Sequence, residues 1–286
     1  MNVIVLGSTG FIGKNIISSL NKHQIKNSGF GSLDVDLTKK ASIKFLSKKI
    51  TSDTTIIFAA AITRQNGDNL ENMKKNIAMA INVAEAFKIS KPKQCVYLST
   101  CDVYGFPKKT ITEETKCSPQ TFYAKAKYSS ELTLTSVCKE IDAPLLILRY
   151  NGIFGPGQIN TQYGPNRFIL ESINDNSIML WGNGEEKRDL VYVKDLAEIV
   201  VRLIAKDKNG IFNIATGKSL TFYELAKKVI KILNKDIKIE NRERTSALFN
   251  QYFDNSKLTS ELPDVKFINL NKALKNTLNW YLRNSN

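Results

Sequence analysis

Histidine is almost missing from this sequence: His23 is the only one in 286 residues. That argues against a His-based catalytic triad and removes a common zinc ligand. The four cysteines, Cys95, Cys101, Cys117 and Cys138, show neither paired metal spacing nor a disulfide-framework pattern, so no metal site is expected. No run of 18 apolar residues occurs, and no membrane span is expected. The chain passes directly into Val3-Ile4-Val5-Leu6, without a basic lead or a cleavage site. That reads as a strand rather than a secretion signal, and a cytoplasmic location is expected. Acids are also scarce, 27 against 41 basic residues, leaving a net charge of +14. The lysines are spread along the chain rather than gathered in one arm. This favours a generally basic surface suited to anionic small substrates, and no nucleic-acid partner is expected.

The apolar fraction, 42%, suffices for a real core. Strand-like and helix-like segments alternate through the first half. Strands are expected at Val3–Leu6, Thr55–Ala61, Cys95–Ser99 and Leu145–Leu148. Helices are expected at Ile12–Leu20, Asn69–Phe87 and Tyr123–Lys139. The second of these helices would place Met73, Ile77, Ala80, Ile81 and Ala84 on one side. Such alternation predicts a parallel sheet with helices on both faces. After Gly155-Pro156-Gly157 the pattern loosens, although Thr221–Leu233 reads as an amphipathic helix with Thr221 as its N-cap. Residues 1–155 are expected to form the first domain. Residues 156–286 would form mainly a smaller lobe, with segments returning to the first domain.

Gly7-Ser8-Thr9-Gly10-Phe11-Ile12-Gly13 follows the first strand and opens the first helix. One glycine suits the tight turn, one lets the backbone approach a pyrophosphate, and one lets helix and strand pack closely. The helix N-terminus would face the phosphates. An acid after the second strand would grip the ribose of NAD. The segment Lys26-Asn27-Ser28-Gly29-Phe30, taken as that region, has none, so NAD and NADP both stay open as cofactors. Lys26 would meet a 2′-phosphate or simply sit in solvent. Tyr123 and Lys127 stand four residues apart on one helical face. An ammonium beside a phenol favours the phenolate, so the pair suits proton transfer on a sugar hydroxyl or ketone.

The spacing G-x-x-G-x-x-G resembles that of the short-chain dehydrogenases. Further segments extend the resemblance over nearly the whole chain, toward the extended members of the NAD-dependent epimerase/dehydratase family that act on nucleotide sugars. These are Leu98-Ser99-Thr100-Cys101-Asp102-Val103-Tyr104-Gly105, Ala59-Ala60-Ala61, Asn76, Trp181-Gly182-Asn183-Gly184, Arg188-Asp189 and Asn213-Ile214-Ala215-Thr216-Gly217. The resemblance implies a Rossmann-like doubly wound parallel sheet with a smaller C-terminal lobe. It implies cofactor contacts from Gly7, Thr9, Gly10, Phe11, Ile12, Gly13, Asp36, Leu37, Ala59, Ala60, Ala61, Asn76, Ser99, Tyr123, Lys127 and Tyr150. Substrate contacts would come from Thr100, Asp102, Tyr123, Asn151 and Arg188, with Arg188 clamping the diphosphate of a nucleoside-diphosphate sugar.

Tyr123 is then the implied acid/base, Lys127 its partner, and Thr100 the donor to the reacting oxygen, with Ser99 as the alternative. The plainer reading of Thr100 is a hydroxyl capping its own strand end. The plainer reading of Arg188 is a surface ion pair with Asp189 or a nearby acid. Family dehydratases carry Asp-Glu directly after the catalytic Thr, whereas this chain has Cys101-Asp102. Asn151 also falls one position before the family's asparagine. The implied reaction is reversible hydride transfer at C4: a 4-epimerase first, a 4-ketoreductase second, a dehydratase third. A non-catalytic nucleotide sensor or RNA-binding relative is the remaining alternative. Relatives dimerise through two helices per subunit, here Asn69–Phe87 and Tyr123–Lys139, so a homodimer is expected.

Overall fold

Val3, Ile4, Val5 and Leu6 are apolar in succession because both faces of their strand are covered, as in a parallel sheet with helices on each side. The computed structural model describes residues 1–159, 164–245 and 247–284. In chain order the elements are β1 (Asn2–Leu6), α1 (Phe11–Lys22), β2 (Lys26–Phe30), α2 (Ala41–Ser47), β3 (Thr54–Phe58), α3 (Leu70–Ile89), β4 (Gln94–Thr100), α4 (Phe122–Glu140) and β5 (Leu145–Tyr150). Then come β6 (Ile153–Phe154), α5 (Gly164–Asn174), β7 (Ser177–Trp181), β8 (Lys187–Asp189), β9 (Val191–Tyr192), α6 (Val193–Ala205), β10 (Gly210–Ile214), β11 (Ser219–Thr221), α7 (Phe222–Leu233), β12 (Lys238–Arg242), α8 (Ser256–Glu261) and α9 (Leu270–Asn284).

Two compact units result. The first comprises Met1–Gly105, Glu113–Tyr150 and Ala197–Asn213. Its six-stranded sheet has the order β10-β5-β4-β3-β1-β2. β1 pairs in parallel with both β2 and β3, β3 with β4, and β4 with β5. Chain order therefore reverses between β1 and β3, the switch point at which such sheets open a ligand crevice beyond their carboxyl ends. The core packs Ile4, Leu6, Ile56, Phe58, Tyr97 and Ile147 of the sheet with Val83 and Phe87 of α3 and Leu134 of α4.

Three expectations are corrected here. Lys26–Phe30 is a strand, not the region after one. It pairs through its backbone at the sheet edge, where neither face demands apolar residues, so periodicity gave no signal. Lys26 pairs with Asn2, at the end of β1 remote from the glycine turn, too far to meet a phosphate there. The strand expected to run to Ala61 stops at Phe58, beside the end of its partner β1 at Leu6.

The Asn69 cap of α3 accepts from the backbone of Asn72. Its buried face, however, carries Met79, Ala80, Val83, Ala84, Ala86 and Phe87, while Ile81 is 45% exposed. The buried stripe is turned by about a quarter revolution from the expected one, because small alanines rather than isoleucines meet the neighbouring elements.

The second unit comprises Phe106–Thr112, Asn151–Leu196 and Ile214–Asn286. Paired strands β7 with β12, β8 with β11 and β6 with β9 frame a core that includes Phe154, Phe168, Ile178, Leu225, Val229 and Leu278. α7 opens with the expected Thr221 cap, reinforced by Glu224 as a capping box, and closes at Asn234 in the left-handed conformation. The loop Gln158–Phe168, expected to shape substrate selectivity, lies partly outside the described residues. Among the described residues no helix is long and apolar enough to cross a membrane, and no His/Cys/Asp/Glu group could hold a metal ion.

Candidate functional site

The glycine turn sits at the switch point. Gly7 has φ +85° and donates its N–H to Phe30 O at 2.8 Å. A Cβ on Gly7 would stand 2.6 Å from the backbone nitrogen of Ala60, and one on Gly13 only 2.1 Å from Gly7 O. Both positions therefore need glycine for close backbone approach. Gly10 caps α1 without offering a side chain. The N–H groups of the first turn, at Phe11, Ile12 and Gly13, thus form a positive helix end with no side-chain cap from that position. Gly31 follows β2, and a Cβ there would stand 2.6 Å from the Thr9 side chain. An acid does follow the second strand once its true bounds are known: Asp34 accepts from Gly31 N at 2.7 Å.

The loop after β3 is fixed by Asn76. Its amide oxygen accepts from Ile62 N at 2.8 Å and its amide nitrogen donates to Ile62 O at 2.9 Å. Asn76 therefore uses both polar ends of its amide to shape the Ala59-Ala60-Ala61-Ile62 loop. Asp36 and Leu37, expected to touch the adenine, are also engaged. Asp36 accepts from the N–H and hydroxyl of Thr38 at 2.9 and 2.6 Å, which holds its carboxyl below the usual range. Leu37 belongs to the core, and its carbonyl accepts from Asn82.

At the carboxyl ends of β4 and β5, Thr100 lies beside Tyr150 in parallel register. Thr100 Oγ1 accepts from Asp102 N at 3.2 Å, capping the short 3-10 helix Cys101–Tyr104. The plainer capping reading thus describes its contact, but a hydroxyl that accepts one bond still has its proton to give. Tyr123 enters from the first turn of α4. The Thr121 cap holds that turn, and Asp68 holds it again by accepting from Tyr123 N at 2.8 Å. The phenols of Tyr123 and Tyr150 are close enough to act on each other, with Asp102 as the nearby carboxylate. Tyr123 as a residue is half-buried, yet desolvation of its phenol is the main cause that pushes it well above the ordinary tyrosine range, with Tyr150 and Asp102 adding to the rise. Tyr150 is pushed up to about 12, again chiefly by burial.

Lys127, the expected partner of Tyr123, is held from the sheet side. Lys127 is fully buried, donates to Leu98 O, and stands 4.1 Å from the centre of the Tyr97 ring. Burial lowers it to about 7, with Glu131 opposing the fall. Ser99 donates its hydroxyl to Glu131 Oε1 inside the protein. Glu131 is clamped by Arg149 at 2.6 and 3.1 Å, and both are buried. Arg149 lies 4.8 Å from the Tyr104 ring centre, and Tyr104 donates to Asn213 at 2.7 Å. Sequence reasoning missed Glu131 and Arg149. The available signal was Glu131 standing four residues beyond Lys127, on the same helical face.

In the second unit, Asn151 donates to Asp189 O at 3.0 Å and is buried, so its amide is directed to the backbone. Asp189 is buried too and accepts from Thr216 and Lys218, rather than pairing with Arg188. Arg188, 24% exposed, bonds Glu186 at 2.5 Å and the carbonyls of Lys187 and Phe249. The plainer ion-pair reading holds for it, with Glu186 as the acid.

A model of the NAD dependent epimerase/dehydratase family matches residues 3–215. The chain belongs to this family. A trifunctional UDP-glucose 4,6-dehydratase/UDP-4-keto-6-deoxy-D-glucose 3,5-epimerase/UDP-4-keto-L-rhamnose-reductase of Arabidopsis thaliana is 23% identical over 316 residues, covering 99% of this chain and 47% of that protein. The chain thus spans about half the length of that relative. The dTDP-4-dehydro-6-deoxyglucose reductase of Escherichia coli is 27% identical, covering 82% of each chain. Among solved structures, the UDP-N-acetylglucosamine 4-epimerase of Methanobrevibacter ruminantium M1, in complex with UDP-N-acetylmuramic acid, is similar with a TM-score of 0.88. It is 26% identical, and the match covers 99% of this chain and 98% of that one. Members of this family are NAD(P)-dependent. The residues present here fit a dinucleotide: at Gly7 and Gly13 an added Cβ would meet backbone, and the uncapped α1 N-terminus suits a pyrophosphate.

Proposed function

We propose that the chain is a nucleotide-sugar 4-epimerase, acting reversibly at C4 of a nucleoside-diphosphate sugar. The observation that carries this reading is that Thr100 stands in register beside Tyr150 at the carboxyl ends of β4 and β5, with the Tyr123 phenol buried near Tyr150 and Asp102. Gly7, Gly10, Gly13 and the first turn of α1 would hold the dinucleotide, with Ala59–Ala61 beside the reacting end. When bound, the nicotinamide supplies the acceptance and return of hydride.

The chain's own residues handle the proton. Tyr123 takes it from the C4 hydroxyl as phenolate and gives it back to the ketone oxygen as phenol. Thr100 donates its hydroxyl proton to the same oxygen. Lys127, in its charged form, adds positive potential to the floor of the site. Arg188 is the guanidinium proposed for the diphosphate, which would exchange with Glu186. Cys101 is buried and Asp102 is the one acid following Thr100, a poor set for water elimination.

A 4-ketoreductase is the second reading, favoured by the reductase relative that matches 82% of each chain. The two separate on one experiment: extraction and spectroscopy of the cofactor from purified protein, followed by turnover of UDP-sugars. Tightly held NAD with interconversion of C4 epimers supports the epimerase. An empty protein that binds NADPH and consumes it with a 4-keto sugar overturns it in favour of the reductase.

We further propose a homodimer through α3 and α4, which leave Ile81 45% and Leu132 55% exposed on the single chain.

A further inference from the structure

We propose that Glu131 is a positioning residue for the Tyr123–Lys127 centre: its carboxylate, clamped by Arg149 and Ser99, keeps the buried Lys127 protonated and seated against β4. The inference rests on the catalytic reading of that centre, but its first readout does not.

The geometry runs along two adjacent residues of one strand. On α4, Lys127 and Glu131 are one turn apart on the buried face. Lys127 donates to Leu98 O and Glu131 accepts from Ser99 Oγ, so the two side chains grip consecutive positions of β4 immediately before Thr100. Arg149 bonds both oxygens of Glu131 from β5, in register with Ser99. The same β4–β5 register then sets Thr100 beside Tyr150. A buried carboxylate held by three donors is costly to move. It is therefore a fixed negative charge near a lysine that burial drives toward its neutral form.

The other groups around Lys127 do not supply that charge. On α4, Tyr123 is a neutral phenol. From β4 comes the neutral phenol of Tyr97, and from β5 the cation Arg149 and the neutral phenol of Tyr150. From the 3-10 helix come Tyr104 and the carboxylate Asp102, which acts on Tyr123 and Tyr150. Cys117 feels both Arg149 and Glu131, and burial keeps it a thiol. Of the carboxylates, Glu131 stands one helical turn from Lys127 on the same buried face of α4.

The test reads Lys127 directly. The ¹³Cε resonance of Lys127, in lysine-labelled protein and assigned with Lys127→Arg, is followed against pH without any substrate. In Glu131→Gln the midpoint is expected to fall by about one unit or more, and in Glu131→Asp by less. Where removal of the carboxylate alone leaves Arg149 uncompensated and the protein unfolded, the charge-balanced double variant Glu131→Gln/Arg149→Gln takes its place, with a smaller fall expected because a cation is removed along with the carboxylate. A folded variant without the carboxylate whose Lys127 midpoint is unchanged overturns the proposal.

The second readout is the pH profile of turnover. Glu131→Gln is expected to lose activity at a lower pH than the parent and to recover it toward acid. An equal loss at every pH would indicate a merely structural role and also overturn the proposal. If the parent turns over no sugar nucleotide, the functional reading fails, while the Lys127 titration still decides the role of Glu131.

Discussion

Asn76 binds both backbone groups of Ile62, at 2.8 Å from the N–H and 2.9 Å to the carbonyl. The amide thus acts as a clamp on the loop that follows β3. Asn76→Ala leaves two backbone groups of a half-buried loop unpaired, at a cost of about 1–3 kcal/mol. The expected outcome is a lower midpoint in urea unfolding and weaker NAD binding by calorimetry, because Ala60 packs against Gly7 from that loop. Unchanged affinity with lowered stability would leave the clamp as scaffold alone.

Gly7→Ala introduces a Cβ at a positive φ and into Ala60. The left-handed conformation alone costs about 1–2 kcal/mol, and the overlap adds to it. The turn and the Ala59–Ile62 loop must separate, so dinucleotide affinity is expected to drop at least tenfold. Equilibrium dialysis of NAD and NADPH against the variant checks this.

Tyr123→Phe removes the acid/base and is expected to lower kcat by about 100-fold or more, with the fold intact by circular dichroism. Tyr150→Phe has a different signature. Tyr150 raises Tyr123. Its removal is therefore expected to lower Tyr123, so the rising limb of kcat/KM against pH, in the oxidising direction, moves toward acid. A profile that stays in place would show that the phenol pair does not set the working protonation state.

Lys127 carries a stability cost with a defined pH window. Its folded value is about 7, against an ordinary 10.5. Between those values the unfolded chain binds a proton that the folded protein lacks, so this contribution to stability rises with pH. The cost is complete below pH 7 and is relieved toward pH 10.5. Lys127→Met is therefore expected to stabilise the protein most at acid pH, with the gain fading as pH rises. Urea unfolding at several pH values measures it. The lost hydrogen bond to Leu98 O acts in the opposite direction at every pH.

Ile81→Glu and Leu132→Lys place charges on the exposed apolar positions of α3 and α4. Sedimentation is expected to show a shift from dimer to monomer, with the unfolding midpoint of the monomer little changed. A monomeric parent protein would reject the dimer directly.

Much of this protein was legible without coordinates, because some residue choices admit few conformations. Gly7, Gly10 and Gly13 at the end of an apolar strand specify a strand–turn–helix with close backbone contacts, and Thr221 with Glu224 specifies a helix start. The alternation of apolar strands with amphipathic helices specifies the α/β class. Other features were decided only when the chain closed on itself. β2 is polar because an edge strand is held by its backbone, so no side-chain period announced it. The buried side of α3 followed its packing partners rather than its largest apolar residues. Asn76 and Ser99 matched a family pattern, and the tertiary structure adds their contacts with Ile62 and Glu131. The Tyr123–Lys127 spacing is local and readable from the sequence. What each group does there depends on burial and on neighbours from distant segments: Tyr150 from β5, Leu98 and Ser99 from β4, and Arg149 against Glu131. Spacing sets which side chains share a face, whereas desolvation and the partners met across the sheet set their charge.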